Sequence, residues 1–312
     1  MEIVLLMGYP ASGKSTWTAA NFPAHRRINR DSLGDSTLAD LVPLASAALD
    51  EGASVVLDNT YATRDSRAPL VALGKQRGVP VRCVWLDSSI EQAQYNAVER
   101  LVRKHGRLLT PDEIKKAGKG DPNTYSPAVL FKYRKALEAP TMAEGFASVE
   151  KVAFKRGAQH PEYAGKALLL DYDGTLRKTK SGDKYPLTPD DVEVLPGRTE
   201  VLKKYQAEGY RLLGVSNQSA VSKGTLSLEV ALACFARTNE LLGVEVEVSF
   251  CPHEPAPINC WCRKPMPGLG VAFIEKYKLD RAHTLMVGDM TTDRTFAARA
   301  GIRFVDQAEF FR

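Results

Sequence analysis

The sequence predicts an α/β protein of two domains, each built on a parallel sheet. Three observations carry this. Short apolar runs rich in Val, Ile and Leu alternate with helical patterns, the signature of βαβ units. The alternation stops once, at a polar, turn-rich stretch, and then restarts. At 312 residues the chain is long enough for two domains that each bury a core.

In order, strands are expected at 2–7, 53–58 and 80–86, with helices at 14–20, 65–77 and 89–104. Thr110 to Pro127 holds Gly118, Gly120, Asp121-Pro122 and Asn123 and reads as a loop or lid. A helix at 128–138 and the stretch Ser148–Phe154 close a first domain, 1–155. Residues 156–165 form a linker. The second domain, 166–312, runs strand 167–170, helix 198–208, strand 210–215, a helix near 226–242 and strand 245–250. Helix 268–278, strand 284–287, helix 293–300 and a short strand around 302–305 complete it.

Composition is that of a soluble globular protein, 44% hydrophobic and 25% charged. No apolar run reaches the roughly 18 residues of a membrane span, and the opening strand is too short for a signal segment. A cytoplasmic protein without membrane partners is expected. Net charge is +5, compatible with nucleic acid without demonstrating it. Between 100 and 119, Arg100, Arg103, Lys104, Arg107, Lys115, Lys116 and Lys119 face only Asp112 and Glu113. A solvated helix face and a phosphate-contacting face both produce such a run. Three of the five cysteines fall within twelve residues, which argues for a metal site in a reducing compartment over a disulfide framework.

Gly8-Tyr9-Pro10-Ala11-Ser12-Gly13-Lys14-Ser15 fits G-x-x-x-x-G-K-[ST], after a strand and before a helix. Backbone amides and a helix N-terminus there bind phosphate oxygens. Lys14 is expected to reach the β- and γ-phosphates of ATP, and Ser15 to hold Mg²⁺. Gly8, Gly13 and Thr16 complete the nucleotide-binding set. Asp31 of Asn29-Arg30-Asp31 has two readings: a base for an attacking hydroxyl, or the cap of a helix begun by Ser32 and Leu33. Asp58 ends a strand in Leu57-Asp58-Asn59-Thr60; it supports Mg²⁺ or orders the acceptor, or it caps a loop.

Ile28-Asn29-Arg30-Asp31-Ser32-Leu33-Gly34, Leu57-Asp58-Asn59-Thr60 and Glu138-Ala139-Pro140-Thr141-Met142-Ala143-Glu144-Gly145-Phe146 resemble the kinase domain of polynucleotide kinase-phosphatases. The resemblance covers nearly all of 1–155. It implies that Asp31 activates a 5′-hydroxyl and that a lid arginine, Arg100 or Arg103, steadies the transferring phosphate.

Leu170-Asp171-Tyr172-Asp173-Gly174-Thr175-Leu176 resembles the first motif of haloacid dehalogenase phosphatases. On an extended segment the two acids share a face. Asp171 is then the nucleophile that forms an aspartyl-phosphate, and Asp173 the acid and base. Mg²⁺, held by Asp171, Asp173 and Asp289, lets one anion attack another. Ser216, at the end of Leu213-Gly214-Val215-Ser216-Asn217, binds the phosphoryl group; Lys264 of Arg263-Lys264-Pro265 neutralises it. Asp289 is expected as a direct metal ligand in Val287-Gly288-Asp289-Met290-Thr291-Thr292-Asp293.

Cys251-Pro252-His253 and Cys260-Trp261-Cys262 form a C-x-H…C-x-C quartet. Three thiolates and an imidazole suit a closed, structural Zn²⁺ site; unligated thiols in a reduced loop are the alternative. The 251–262 loop resembles the zinc loop of histidinol-phosphate and heptose-bisphosphate phosphatases, which implies small substrates. Against that, Leu176–Gly182 and Gly301–Phe304 with Glu309-Phe310-Phe311 resemble the phosphatase domain of polynucleotide kinase-phosphatases, and Arg177, Lys178 and Lys180 suit a polyanion or a solvated loop.

The fold class implied is α/β, a P-loop kinase parallel sheet plus a haloacid dehalogenase-like Rossmannoid phosphatase. The function implied is ATP-dependent phosphorylation of 5′-hydroxyl ends and Mg²⁺-dependent hydrolysis of 3′-phosphate ends of DNA or RNA. A ligase in the same pathway is the implied partner. The alternatives are a fused small-molecule kinase and sugar- or histidinol-phosphate-type phosphatase, and a non-catalytic binder of strand ends.

Overall fold

A computed structural model of the protein describes residues 1–33 and 37–312. Strands β1 (Ile3–Met7), β2 (Arg26–Ile28), β3 (Val55–Asp58), β4 (Val81–Asp87) and β5 (Ser148–Ala153) form one sheet in the order β2-β3-β1-β4-β5. Every pairing is parallel. Central β1 is buried along its whole length, so it reads as an unbroken apolar run instead of alternating. Its odd residues, Ile3, Leu5 and Met7, enter one core with Leu41, Leu70 and Phe146. Its even residues, Val4 and Leu6, enter the other with Phe22 and Leu86. Helices α1 (Lys14–Asn21), α2 (Leu41–Asp50), α3 (Arg64–Arg77), α4 (Ile90–His105), α5 (Pro111–Ala117) and α6 (Ala128–Ala136) occupy the connections.

Two of these elements, β2 and α2, add to the expected set. A third corrects it: α5 occupies the start of the stretch expected to be loop. Thr110 accepts from the Glu113 amide at 3.3 Å while Glu113 accepts from the Thr110 amide at 2.8 Å, and Pro111 opens the helix. That capping box outweighs the glycines further on.

By packing, the chain divides into two units. One comprises 1–96, 120–123 and 128–157; the other comprises 97–119, 124–127 and 158–312. Helix α4 therefore starts in the first unit and ends in the second, and α5 packs with the second.

The second unit holds another five-stranded parallel sheet. It is built from β6 (Gly165–Leu170), β9 (Tyr210–Asn217), β10 (Glu247–Cys251), β11 (Leu279–Gly288) and β12 (Arg303–Asp306), in the order β10-β9-β6-β11-β12. Between β6 and β9 lie the short antiparallel pair β7 (Arg177–Thr179) and β8 (Val192–Val194) and helix α7 (Arg198–Ala207). Helices α8 (Ser219–Ser222) and α9 (Leu228–Leu242) follow β9; α10 (Gly268–Tyr277), α11 (Thr291–Ala300) and α12 (Gln307–Phe310) complete the chain. Asp171 follows β6 directly, Ser216 lies near the end of β9, Cys251 ends β10 and Asp289 follows β11. All four therefore gather at the carboxyl edge of the sheet, where open α/β sheets bind ligands. No described helix is long and apolar enough to cross a membrane.

Candidate active sites

The loop between β1 and α1 is shaped by its glycines. Gly8 has φ 152°, and a Cβ there would stand 2.9 Å from the Leu86 carbonyl and from Ser12 Oγ. Gly13, at φ 87°, leads into the N-terminus of α1. Lys14 is buried, and its ammonium donates to the carbonyls of Gly8 (3.1 Å) and Tyr9 (2.6 Å). Ser15 Oγ donates to Asp58 Oδ2 at 2.9 Å, and Arg27 donates to the same oxygen from Nε (3.0 Å) and Nη2 (2.5 Å). Parallel pairing of β1 and β3 sets Leu6 beside Asp58, which brings this carboxylate to the loop. A serine hydroxyl touching a buried carboxylate is a hard-oxygen donor pair that fits Mg²⁺. Thr16 lies exposed in the first turn of α1.

Asp31 sits in a 3₁₀ turn, Arg30–Ser32, whose cap is Asn29: Oδ1 accepts from the Asp31 amide at 2.7 Å. Asn29, not Asp31, caps this turn. Asn29 Nδ2 also donates to the Asp58 carbonyl (2.7 Å), and Asn59 Oδ1 accepts from the Arg30 amide (3.0 Å). Two asparagines tie the Asp31 turn to the end of β3 and leave its carboxylate exposed, 3.7 Å from Arg30 Nη2. Gly34, quoted in the resemblance, lies outside the described residues.

Both expected lid arginines fall in the second unit. Arg100 lies over Tyr125, 5.8 Å from the ring centroid. Arg103 donates to Glu275 at 3.0 and 3.3 Å, to Tyr163 Oη at 3.1 Å and to Glu99 at 3.1 Å. Arg107 pairs bidentately with Glu113. Arg103 and Arg107 of the basic run thus have carboxylate partners of their own.

In the second unit, buried Lys264 donates to Asp171 Oδ1 (2.5 Å) and the Val215 carbonyl (2.8 Å), and pairs with Asp293 Oδ1 (2.7 Å). Ligand oxygens of Asp171, Asp289 and Asp293 lie within 4.8 Å of one another. Burial raises the Asp171 carboxyl, with Asp293 and Asp173 adding to the rise against the pull of Lys264. Burial raises Asp289 as well, with Asp293 beside it. Three crowded carboxylates against one ammonium leave uncompensated negative charge, and their hard oxygens fit Mg²⁺.

Asp173 has both oxygens engaged. Arg177 Nε donates to Oδ1 and Gln218 Nε2 to Oδ2, each at 2.8 Å. The same Gln218 nitrogen reaches Ser216 Oγ at 2.9 Å. The Asn217 side-chain amide donates to the Lys264 carbonyl (3.0 Å) and accepts from the Lys264 amide (2.9 Å), joining the end of β9 to the Lys264 segment. At Gly174, φ 87°, a Cβ would collide with the Asp289 carboxylate, so the turn after Asp173 requires glycine.

The cysteine–histidine quartet closes on one point. Cys251 and Cys260 sulfurs are 3.7 Å apart, His253 Nδ1 is 3.4 Å from Cys251 and 3.2 Å from Cys262, and all four ligand atoms lie within 4.8 Å. Tetrahedral Zn²⁺ with bonds of about 2.3 Å to sulfur and 2.0–2.1 Å to nitrogen requires ligand separations of about 3.5–3.8 Å. The three separations above, 3.2–3.7 Å, come close to these values.

Residues 3–118 match the model of an AAA domain, and 166–311 that of the polynucleotide kinase 3 phosphatase family. The bifunctional polynucleotide phosphatase/kinase of Schizosaccharomyces pombe is 33% identical over 157 residues, 49% of this chain and 34% of that protein. The chain thus spans about a third of that relative. A probable D-glycero-D-manno-heptose-1,7-bisphosphate 7-phosphatase of Thermoplasma volcanium is 33% identical over 144 residues, 45% of this chain and 96% of that protein. The chain belongs to the haloacid dehalogenase-like phosphatases. It joins an AAA-type P-loop domain to that phosphatase domain. The crystal structure of D,D-heptose 1,7-bisphosphate phosphatase from B. bronchiseptica aligns loosely, at 27% identity and TM-score 0.40 over 45% of this chain and 78% of that one.

Within the haloacid dehalogenase-like domain, the structure brings Asp171, Asp289 and Lys264 together with Asp293, the second acid of the Val287–Asp293 motif. Asp173 stands outside that carboxylate group, bonded to Arg177 and Gln218. Arg177 corrects an expectation. Its position after the nucleophile suits a polyanion, yet it is buried against Asp173 and Thr238, over the rings of Tyr172 and Phe235. Lys178 pairs with Glu193, and Lys180 donates to the Asp190 carbonyl. Gln218 carried no sequence signal beyond its place after Ser216-Asn217.

Proposed function

We propose that this protein heals nucleic-acid ends, using ATP to phosphorylate a 5′-hydroxyl in one half and hydrolysing a 3′-phosphate in the other. The observation that carries the reading is the tie between Asp31 and the phosphate loop. Asn29 and Asn59 fix an exposed carboxylate to the strand whose last residue, Asp58, touches Ser15. A carboxylate placed there can take the proton of an attacking alcohol as it meets the γ-phosphate. The match of 166–311 to a polynucleotide 3′-phosphatase family supports the substrate class.

In the first reaction, Lys14 and the loop amides hold the β- and γ-phosphates of ATP, with Gly8, Gly13 and Thr16 lining the approach. Asp31 takes the proton of the 5′-hydroxyl as its oxygen bonds to the γ-phosphorus and ADP leaves. Ser15 and Asp58 would hold Mg²⁺. In the second, Asp171 attacks the phosphorus of the 3′-phosphate while Asp173 protonates the departing 3′-oxygen. Asp173 then takes a proton from water, which attacks the aspartyl-phosphate and releases inorganic phosphate. Ser216 and Lys264 hold the phosphoryl oxygens. Asp171, Asp289 and Asp293 would hold Mg²⁺. In both sites the cation, when bound, neutralises phosphate charge so that an oxygen nucleophile can approach. Cys251, His253, Cys260 and Cys262 would hold Zn²⁺ as a structural centre, and their thiols suit the reducing cytoplasm. The products, a 5′-phosphate and a 3′-hydroxyl, are the substrates of a ligase acting next.

A second reading is favoured by the quartet and by the heptose-bisphosphate phosphatase relative: a phosphatase for small phosphate esters. One assay separates the two. The chain is incubated with ATP, Mg²⁺ and labelled 5′-hydroxyl, 3′-phosphate oligonucleotides of DNA and RNA, beside sugar and histidinol phosphates. End healing is expected to exceed small-ester turnover and to weaken steeply with salt. Asp31→Asn should remove at least about a hundredfold of 5′-phosphorylation and spare 3′-hydrolysis; Asp171→Asn should do the reverse. Retention of both activities in either variant would sink the residue assignment, and preference for the small esters would sink the substrate class.

A further inference from the structure

We propose that Asn96 is a positioning residue for nucleotide binding, holding Ala11 of the phosphate loop while Arg156 orients its amide. The inference rests on the nucleotide reading of Gly8–Ser15.

Tyr9-Pro10-Ala11-Ser12 forms a turn closed by the Ser12 amide donating to the Tyr9 carbonyl at 3.0 Å. Pro10 takes the second position, and Ala11 takes the third with φ 61°. A positive φ at the third position normally calls for Gly or Asn, because a Cβ crowds its own carbonyl there. Ala11 is held in that conformation from outside. Asn96 Nδ2, from α4, donates to the Ala11 carbonyl at 2.8 Å. The orientation of the Asn96 amide is itself fixed, because Arg156 Nη2 donates to Asn96 Oδ1 at 2.5 Å. With its oxygen occupied by a cation, the amide presents its NH₂ edge to the loop. Arg156 lies over Tyr95, 4.1 Å from the ring centroid, and 5.5 Å from that of Phe154. All of these residues belong to the first unit.

The consequence concerns the next peptides along. Gly13, Lys14 and Ser15 supply the amides of the helix N-terminus, and their aim depends on the path the chain takes through Ala11. An anchored Ala11 carbonyl orders that path before nucleotide arrives. Preorganisation of this kind strengthens binding by removing the ordering cost. It acts on substrate and transition state alike, so losing it should raise KM without lowering kcat.

The test uses the full chain and a fluorescent ATP analogue with Mg²⁺. Asn96→Ala is expected to weaken nucleotide binding about tenfold and to raise the KM for ATP to match, with kcat at saturating ATP within about twofold. Arg156→Ala should shift both the same way by a smaller factor, since Asn96 then loses only its orientation. In the Asn96→Ala background, Ala11→Gly is expected to recover most of the affinity, because glycine takes a positive φ without an anchor. Hydrolysis of a phosphate monoester by the second unit serves as the folding readout and should not change in Asn96→Ala. Wild-type affinity in Asn96→Ala, or no recovery on adding Ala11→Gly, would overturn the proposal. Failure of the unaltered chain to bind the analogue would overturn the nucleotide reading, and the proposal with it.

Discussion

Asp173 must give up a proton in one half of the proposed hydrolysis and take one back in the other, so its orientation matters more than that of a static ligand. Arg177 and Gln218 hold one oxygen each, and Gln218 also reaches the hydroxyl of Ser216. Gln218→Ala removes one of two anchors and is expected to slow monoester hydrolysis about tenfold to a hundredfold, part of the 10²–10⁴ that positioned acid–base groups supply. Arg177→Lys should cost more, because an ammonium cannot serve Asp173 and Thr238 at once while lying over Tyr172 and Phe235. Steady-state kinetics with a simple phosphate ester would decide, and unchanged kcat in both variants would show that Asp173 needs neither. At this scale the sequence exposed residues whose chemistry is local. Asp171 and Asp173 announce themselves by spacing, as do Gly13, Lys14 and Ser15. Gln218 and Asn29 were not legible, since a glutamine or asparagine means nothing until its partner is placed. Arg177 was misread because β7 is only three residues long, too short for its buried–exposed–buried alternation to stand out.

Among the elements, the central strands were the most legible: β1 and β3 are buried along their whole length, as are the last four residues of β6, so they read as apolar runs. Helix α5 was hidden by the glycines that follow it, although Thr110-x-x-Glu113 was there to be seen. What no pattern revealed is the joint between α3 and the turn Met142–Glu144. Arg67 is fully buried and donates to Glu144 from Nε (2.7 Å) and Nη2 (2.8 Å), and to the carbonyls of Tyr61 (3.1 Å) and Glu138 (3.0 Å). Arg67→Ala would strand a buried carboxylate, and breaking such a pair costs about 3–5 kcal/mol. The same joint gives a pH dependence. Burial works to raise the Glu144 carboxyl, but the bonds from Arg67 and the Thr141 amide, with the charges of Arg67 and Arg64, hold it below its ordinary value. A carboxyl depressed in the folded state contributes stability that is complete above its unfolded pKa of about 4.3 and is lost as pH falls through the folded value. Glu144→Gln should therefore flatten the acid limb of a stability–pH profile measured by denaturant titration. An unchanged limb would place the acid sensitivity elsewhere.

At the scale of the whole molecule, each unit brings its reactive groups to the carboxyl edge of its own parallel sheet, and the fold class legible from strand–helix alternation is the one observed. The grouping of 97–119 with the second unit was not legible, because it depends on contacts such as Arg103 with Glu275 that join residues far apart in the chain. The quartet was legible because its four residues fall within twelve positions, from the end of β10 into the following loop, and its effect should reach beyond that loop. Cys262 stands two residues before Lys264, and Arg263 donates to the His253 carbonyl at 2.9 Å, so the loop's closure sets where the Lys264 backbone begins. Lys264 is in turn the ammonium between Asp171 and Asp293. The purified chain is accordingly expected to carry about one equivalent of zinc by elemental analysis, the content of a single four-ligand site. Cys260→Ser should lose the metal, lower the melting temperature and reduce monoester hydrolysis, because metal bound only to the folded loop stabilises it. ATP binding at Gly8–Ser15 draws on none of these ligands and should persist in the same variant, which distinguishes a local loss from general unfolding. Full hydrolysis by a zinc-free chain supplied with Mg²⁺ would mean that Val215, Asn217 and the two aspartates suffice to hold Lys264, and that the quartet has no part in placing it.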